Sequence, residues 1–266
     1  MTVRRKYLDG RYGQLHLRIA EPVASSGRRP VVCFHLSPVS GAIYENLLVQ
    51  LGQDRLALAP DTPGYGASDG PTEPPSIEDY ATAMAEMLEI LAIPEADCIG
   101  FHTGSKIAIE LALQQPRRVR HLVLISTPIY TPDELRAMRV EFAPMTIRDD
   151  GSHLTDYWQE LMRWRGPGQT PQDLMRYFGT HVSGGERRHF GHRAAFQYSN
   201  ADALPRLEQP VLVLNNNDDL QEYTRRALPL LKNGAILERA DWGHGFLDLH
   251  AAEFAGIART FFDRAT

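Results

Sequence analysis

An apolar run, Ala96 to Phe101, passes straight into a helical stretch, Thr103 to Gln114, through the segment Gly100-Phe101-His102-Thr103-Gly104. The run has strand length. The stretch after it sets Ile107, Leu111 and Leu113 among small residues until Pro116 ends it. A strand that turns directly into a helix bends within one or two residues and holds the central side chain in a strained conformation. Glycines two residues to either side let the helix lie close against the strand. The segment therefore predicts an α/β architecture with His102 at a sharp strand-to-helix turn.

The order of the other segments extends this reading. Val31 to Phe34, Leu56 to Ala59, Leu122 to Ile125, Pro210 to Leu214 and Ala235 to Glu238 read as buried strands. Helical patterns alternate with them. Ser76 is the expected N-cap of one in which Tyr80, Met84, Met87, Leu88 and Leu91 recur until Pro94, another falls near Gln221 to Leu231, and Phe246 to Phe262 is a closing amphipathic helix. Such alternation predicts a mostly parallel sheet with helices on both faces. Tyr7 to Leu8 and Leu15 to Arg18 flank Asp9-Gly10 and Gly13, a hairpin signature that adds antiparallel strands at one edge. From 127 to 207 the strand rhythm stops, with helical patches near Asp133 to Met138, Leu154 to Trp164 and Pro171 to Phe178. The predicted organisation is one α/β core from residues 1–126 and 208–266, with a helical lid, 127–207, inserted in it.

Composition narrows the function classes. An apolar fraction of 43% against 23% charged residues suits a globular chain with a sizeable core. The net charge is -5 and the basic residues are scattered, which argues against nucleic acid as a partner. Cys33 and Cys98 fall inside apolar strands and read as reduced core residues, not as a disulfide framework or zinc ligands. Met1 to Lys6 is basic but has no apolar segment behind it, and no run approaches the roughly 20 apolar residues of a membrane span. A cytoplasmic chain without a membrane partner, bound metal or cofactor is the expectation.

Several segments resemble the α/β-hydrolase superfamily, over nearly the whole chain outside the lid. Phe34-His35-Leu36-Ser37-Pro38 is similar to that family's His-Gly-x-Pro loop, with Leu36 at the glycine position. Ala59 to Ser68, with Asp61, Pro63, Gly64, Tyr65 and Gly66, resembles the loop after its fourth strand, and Ala112 to Ser126 the stretch after its nucleophile elbow. The elbow itself is Gly100 to Gly104. The family order of nucleophile, acid and histidine then implies Asp219 as the acid, with Asp218 as the adjacent competitor, and His244, in Asp241-Trp242-Gly243-His244-Gly245, as the catalytic imidazole. It also implies the backbone N–H groups of Thr103 and Ser37 as oxyanion donors. His35 is expected to fix the loop beneath the site.

His102 stands where the family carries its serine. Imidazole has no hydroxyl to deprotonate, and its ring fills space in which a substrate carbonyl ordinarily sits. Three roles are open to it: acid or base beside His244, nucleophile, or an inert occupant. Two facing imidazoles would titrate as a coupled pair, which suits proton transfer. The expected function is cofactor-independent hydrolysis of a small organic ester, lactone or carbon-carbon substrate. The alternatives are a lyase or cofactor-free oxygenase using the same dyad, and a ligand-binding member without turnover. The aromatic residues of the lid, Tyr157, Trp158, Met162, Trp164, Phe178, Phe190, Phe196 and Tyr198, suggest a pocket for an apolar or aromatic molecule, with Trp158 as the substrate contact.

Overall fold

The computed structural model describes residues 2–24, 26–142 and 144–264. Eight strands, β1 (Arg4–Gly10), β2 (Gly13–Ala20), β3 (Val31–Phe34), β4 (Ala57–Pro60), β5 (Ala96–Phe101), β6 (Val119–Ile125), β7 (Val211–Asn216) and β8 (Gly234–Arg239), form one sheet in the order β1-β2-β4-β3-β5-β6-β7-β8. β1 and β2 make the edge hairpin, β2 pairs antiparallel with β4, and every pairing from β4 to β8 is parallel. The helices are α1 (Glu45–Leu51), α2 (Ile77–Ile90), α3 (Thr103–Gln114), α4 (Pro132–Glu141), α5 (Ser152–Arg163), α6 (Pro171–Ser183), α7 (Phe190–Gln197), α8 (Asn200–Ala203), α9 (Gln221–Arg225), α10 (Phe246–Leu249) and α11 (Ala251–Phe262).

The two-residue period of the strands splits the core into two layers. Val31, Cys33 and Ile99 face α1 and α11, where Leu47, Leu51, Phe254 and Phe262 cover them. Val32, Phe34 and Cys98 face α2 and α3, with Tyr80, Met84, Ile107 and Leu111. Cys33 and Cys98 are both free and lie on opposite faces of the sheet, although β3 and β5 are neighbours. Burial raises both thiol pKa values.

Local signals place most boundaries. Ser76 and Asp79 form a reciprocal capping box at α2, and Thr131 with Glu134 and Thr170 with Asp173 do the same at α4 and α6. The expected closing helix is two helices, α10 and α11, because the chain leaves helical geometry at His250. α1, α7 and α8 carry no strong sequence signal and are additional. All of α4 to α8 lie between β6 and β7, so the segment with no strand rhythm folds as a helical insertion. Among the described residues no helix is long and apolar enough to cross a membrane.

Candidate active site

Parallel strands end together, so the loops after β3, β5, β6, β7 and β8 gather at one edge of the sheet. His102 stands between β5 and α3 with φ 48° and ψ -109°, a conformation that L-residues rarely adopt. The flanking glycines explain how the turn closes. A Cβ on Gly100 would lie 2.4 Å from the Gly104 carbonyl oxygen, and one on Gly104 would lie 2.0 Å from that of Phe34. Neither position has room for a side chain, and the helix rests directly on β3 and β5.

His102 Nε2 is 3.3 Å from Asp218 Oδ2, in the loop after β7. Asp218 is 1% exposed and firmly held: the Leu220 N–H donates to its Oδ1 at 2.9 Å, and the Ser126 hydroxyl donates to its Oδ2. Ser126 follows β6 and also has positive φ, 53°, so two strained positions at adjacent strand ends converge on this one carboxylate. The second pair is separate. His244 Nε2 lies 3.4 Å from Asp219 Oδ1, an ion-pair contact without hydrogen-bond alignment. The structure therefore brings His102, Asp219 and His244 to one site and assigns the adjacent Asp218 to His102.

The electrostatics of the second pair follow from these contacts. Burial disfavours the charged form of Asp219, but the neighbouring His244 and His102 win and hold its pKa below the usual carboxylate range. Burial likewise lowers His244, and the contact with Asp219 and the charge of Asp218 more than offset it, so the imidazole stays above 6.5. His192, on α7, behaves oppositely. Burial and the nearby charges of Arg188 and His102 lower it to about 4, which keeps it a neutral imidazole in the cavity wall.

The loop after β3 carries the other expected residues. His35 Nε2 accepts from the Thr62 N–H at 2.8 Å while Nδ1, assigned as the protonated nitrogen, donates to the Leu36 carbonyl at 2.7 Å. That ring ties the β3 loop to the β4 loop and is spent on structure. Asp61 fixes the β4 loop from within, accepting from the N–H groups of Gly41 and Ala67 and from His16 and Arg18. Ser37 and Thr103 both border the cavity. Thr103 opens α3, so its N–H has no acceptor within the helix. Gly191, at the start of α7, donates its N–H to the Tyr65 hydroxyl at 2.6 Å, and a Cβ there would fall 2.0 Å from Ser37 Oγ. The helical insertion thus bears directly on the loop that holds Ser37.

The cavity beneath the insertion has a volume of about 770 Å³, and its lining includes His102, Thr103, Ser37, Asp219 and His244. Trp158 is not in that lining; it packs edge-on against Phe178 instead. α5 and its C-cap border the cavity with His153, Asp156, Tyr157, Glu160, Leu161, Arg163 and Trp164, a largely helical spacing that leaves position 158 off the stripe. Trp164 takes the expected aromatic place, edge-on to the His244 ring at 5.8 Å. Tyr157 and Phe196 line the cavity as expected from the aromatic content of the segment, and Tyr130, Phe142 and Tyr177 join them. Lys106 and His192 carried no sequence motif and come to the site only through the fold; Ser126 closes the Ala112–Ser126 segment, but nothing in that segment marks its contact with Asp218.

Comparison with known proteins identifies the fold that carries this site. A family model described as alpha/beta hydrolase fold matches residues 29–221. An uncharacterised Mycobacterium tuberculosis protein is 30% identical over 128 residues, so the match spans 48% of this chain and little more than a third, 37%, of that relative. A non-heme chloroperoxidase of Streptomyces lividans is 27% identical over 83% of this chain and 87% of its own. The enol-lactonase of Burkholderia xenovorans LB400 superposes with a TM-score of 0.81 at 18% identity, over 97% of this chain and all of that one (100%). The expected architecture, the elbow geometry and the family match agree: this chain belongs to the α/β-hydrolase fold family.

Proposed function

We propose that the chain is a hydrolase of small organic esters, lactones or activated carbon-carbon bonds in which two imidazole–carboxylate pairs replace the usual serine mechanism. The observation that carries this reading is that His102, at the strained elbow, meets Asp218 while His244 meets Asp219, both at one cavity. The substrate carbonyl oxygen sits against the N–H groups of Thr103 and Ser37, which stabilise the charge that develops there. His244, held by Asp219, takes a proton from water as the water oxygen bonds to the carbonyl carbon. The imidazolium then returns that proton to the leaving group as the tetrahedral intermediate collapses. His102 donates through Nε2 to Asp218, keeps its Nδ1 lone pair, and acts as the auxiliary acid or base beside the reacting centre. The helical insertion serves as the lid that keeps bulk water out.

The family match and the likeness to an enol-lactonase support the reaction class, and the two His–Asp pairs support the non-covalent route. A panel of esters, lactones and diketones, assayed with the parent and His244→Gln, tests it. Turnover that disappears in His244→Gln is the expected result. No turnover across the panel, with tight binding of a panel ligand retained, would instead assign a binding protein, and consumption that requires dioxygen would assign an oxygenase. His102→Ser adds a second readout: new or enhanced esterase activity shows that the remaining hydrolytic groups are intact.

A further inference from the structure

The hydrolytic scheme leaves a buried cation in the cavity unused. Lys106 lies one turn beyond His102 along α3, and both line the same cavity. It is 5% exposed. Its one hydrogen bond among the described residues is to the Tyr198 carbonyl, at 3.3 Å, and the Tyr198 ring lies 5.7 Å from Nζ. An ammonium offers three donors, so two have no protein acceptor. No carboxylate among the described residues comes within ion-pairing distance of it. The acid one turn further on, Glu110, is occupied by the Tyr198 hydroxyl at 2.9 Å and by the Gln114 amide at 3.1 Å.

A buried cation without a counter-charge is normally neutralised or paired. Burial pushes this amine down to about 7, so a modest gain in local negative charge changes its state. The lining of the same cavity also includes Pro128, Tyr130, Ala195 and Phe196, with the neutral His192 on α7. Arg188, another cavity cation with no carboxylate partner among the described residues, is less buried and is already engaged, 5.0 Å from the Tyr157 ring and 3.1 Å from Met145 Sδ. Lys106 is the deeper and emptier position.

We propose that Lys106 anchors a carboxylate of the substrate, so that the cavity takes an apolar or aromatic carboxylic acid whose reacting carbonyl lies over the elbow. This deepens the hydrolase reading and rests on it for the word substrate, but the anchoring site stands on its own geometry. His102 and Lys106 stand four positions apart in the chain and line one cavity, so a single small molecule can reach from the elbow to the amine. The carboxylate supplies the acceptors that Tyr198 does not, and Tyr130 and Phe196 cover the hydrocarbon body.

Benzoate and its neutral isostere benzamide serve as probes, and neither requires turnover. The chain has three lysines, Lys6, Lys106 and Lys232, so protein labelled with ¹³C at the lysine ε carbon gives a spectrum in which Lys106→Met or Lys106→Arg assigns the buried one. The expected result is a Lys106 midpoint near pH 7 that rises with benzoate and not with benzamide. Lys106→Met should bind benzoate at least tenfold more weakly, and Lys106→Arg should keep the preference for the anion. Benzoate that leaves the Lys106 titration in place, or binds Lys106→Met as tightly as the parent, overturns the proposal. Should Lys106→Met not fold, the titration of the parent alone decides. A failed hydrolysis panel leaves this result untouched, and a failed titration leaves the hydrolysis result untouched.

Discussion

Replacing Gly104 by alanine is expected to damage both stability and the site, because the elbow has no space for one methyl group. The added Cβ would lie 2.0 Å from Phe34 O, 2.4 Å from Phe34 C and 2.8 Å from His35 O. All three are backbone atoms of β3 and its loop, so no side chain can swing away. Reaching even the 3.0 Å floor of real Cβ contacts requires α3 to retreat by about 1 Å. Overpacking of this kind costs about 3 kcal/mol, which for a chain of this size lowers Tm by roughly 6–12 °C. His102 precedes α3 directly, and a displacement near 1 Å in a catalytic group costs on the order of 100-fold in rate. Gly256 in α11 is the control: it is exposed, a Cβ there meets nothing within 4 Å, and alanine should stabilise by about 0.4–1 kcal/mol. Thermal unfolding and turnover of the two variants test the reasoning together. Gly104→Ala with parental Tm and rate would refute the account of how the elbow closes.

Further predictions concern the paired charges and the thiols. Asp219→Asn should lower the His244 titration and move the acid limb of the rate profile to lower pH, because it removes the contact that outweighs burial; an unmoved limb contradicts the pairing. The raised pKa of His244 also means that its contribution to stability is full below 6.5 and is lost as pH rises through the folded midpoint, which unfolding measurements at several pH values can follow. Asp218→Asn should cost about 10- to 100-fold in rate, the worth of one charge-assisted hydrogen bond, while leaving the His244 titration closer to the parent than Asp219→Asn does; equal rates in Asp218→Asn and parent would remove His102 from the mechanism. Trp164, edge-on to His244, should report the same protonation as a fluorescence change with a midpoint above 6.5, and no such transition in a Trp158→Phe background contradicts that placement. Cys33 and Cys98 should resist thiol reagents in the native protein and both react after denaturation, without ever forming an intrachain disulfide in the folded state.

The parts of this site that were legible in the sequence are those fixed by neighbours in the chain. β5, the elbow and α3 are read within a few residues of one another, and the capping pairs of α2, α4 and α6 satisfy their own helix ends. The division of labour between Asp218 and Asp219 was not legible, since the two residues share one loop. It is set by the Leu220 N–H and by Ser126, which is 92 residues away in the chain. The sequence points to Trp158 as the aromatic contact, and only the cavity-facing side of α5 shows that Trp164 takes the place beside His244. Lys106 fits a helical pattern as a residue of α3, and only the approach of Tyr198 from the helical insertion shows that its charge is buried with no carboxylate partner among the described residues.

The central claim is that bond cleavage proceeds by proton transfer through imidazoles held by carboxylates, without a covalent intermediate on the elbow. Rapid acid quenching during turnover of whichever panel ester or lactone reacts, followed by intact-mass and peptide-mass measurement, tests it most directly. The account predicts unmodified protein at every time point, with the peptide containing His102 at its parental mass. An acyl adduct on His102 that forms and decays at the rate of turnover would contradict it.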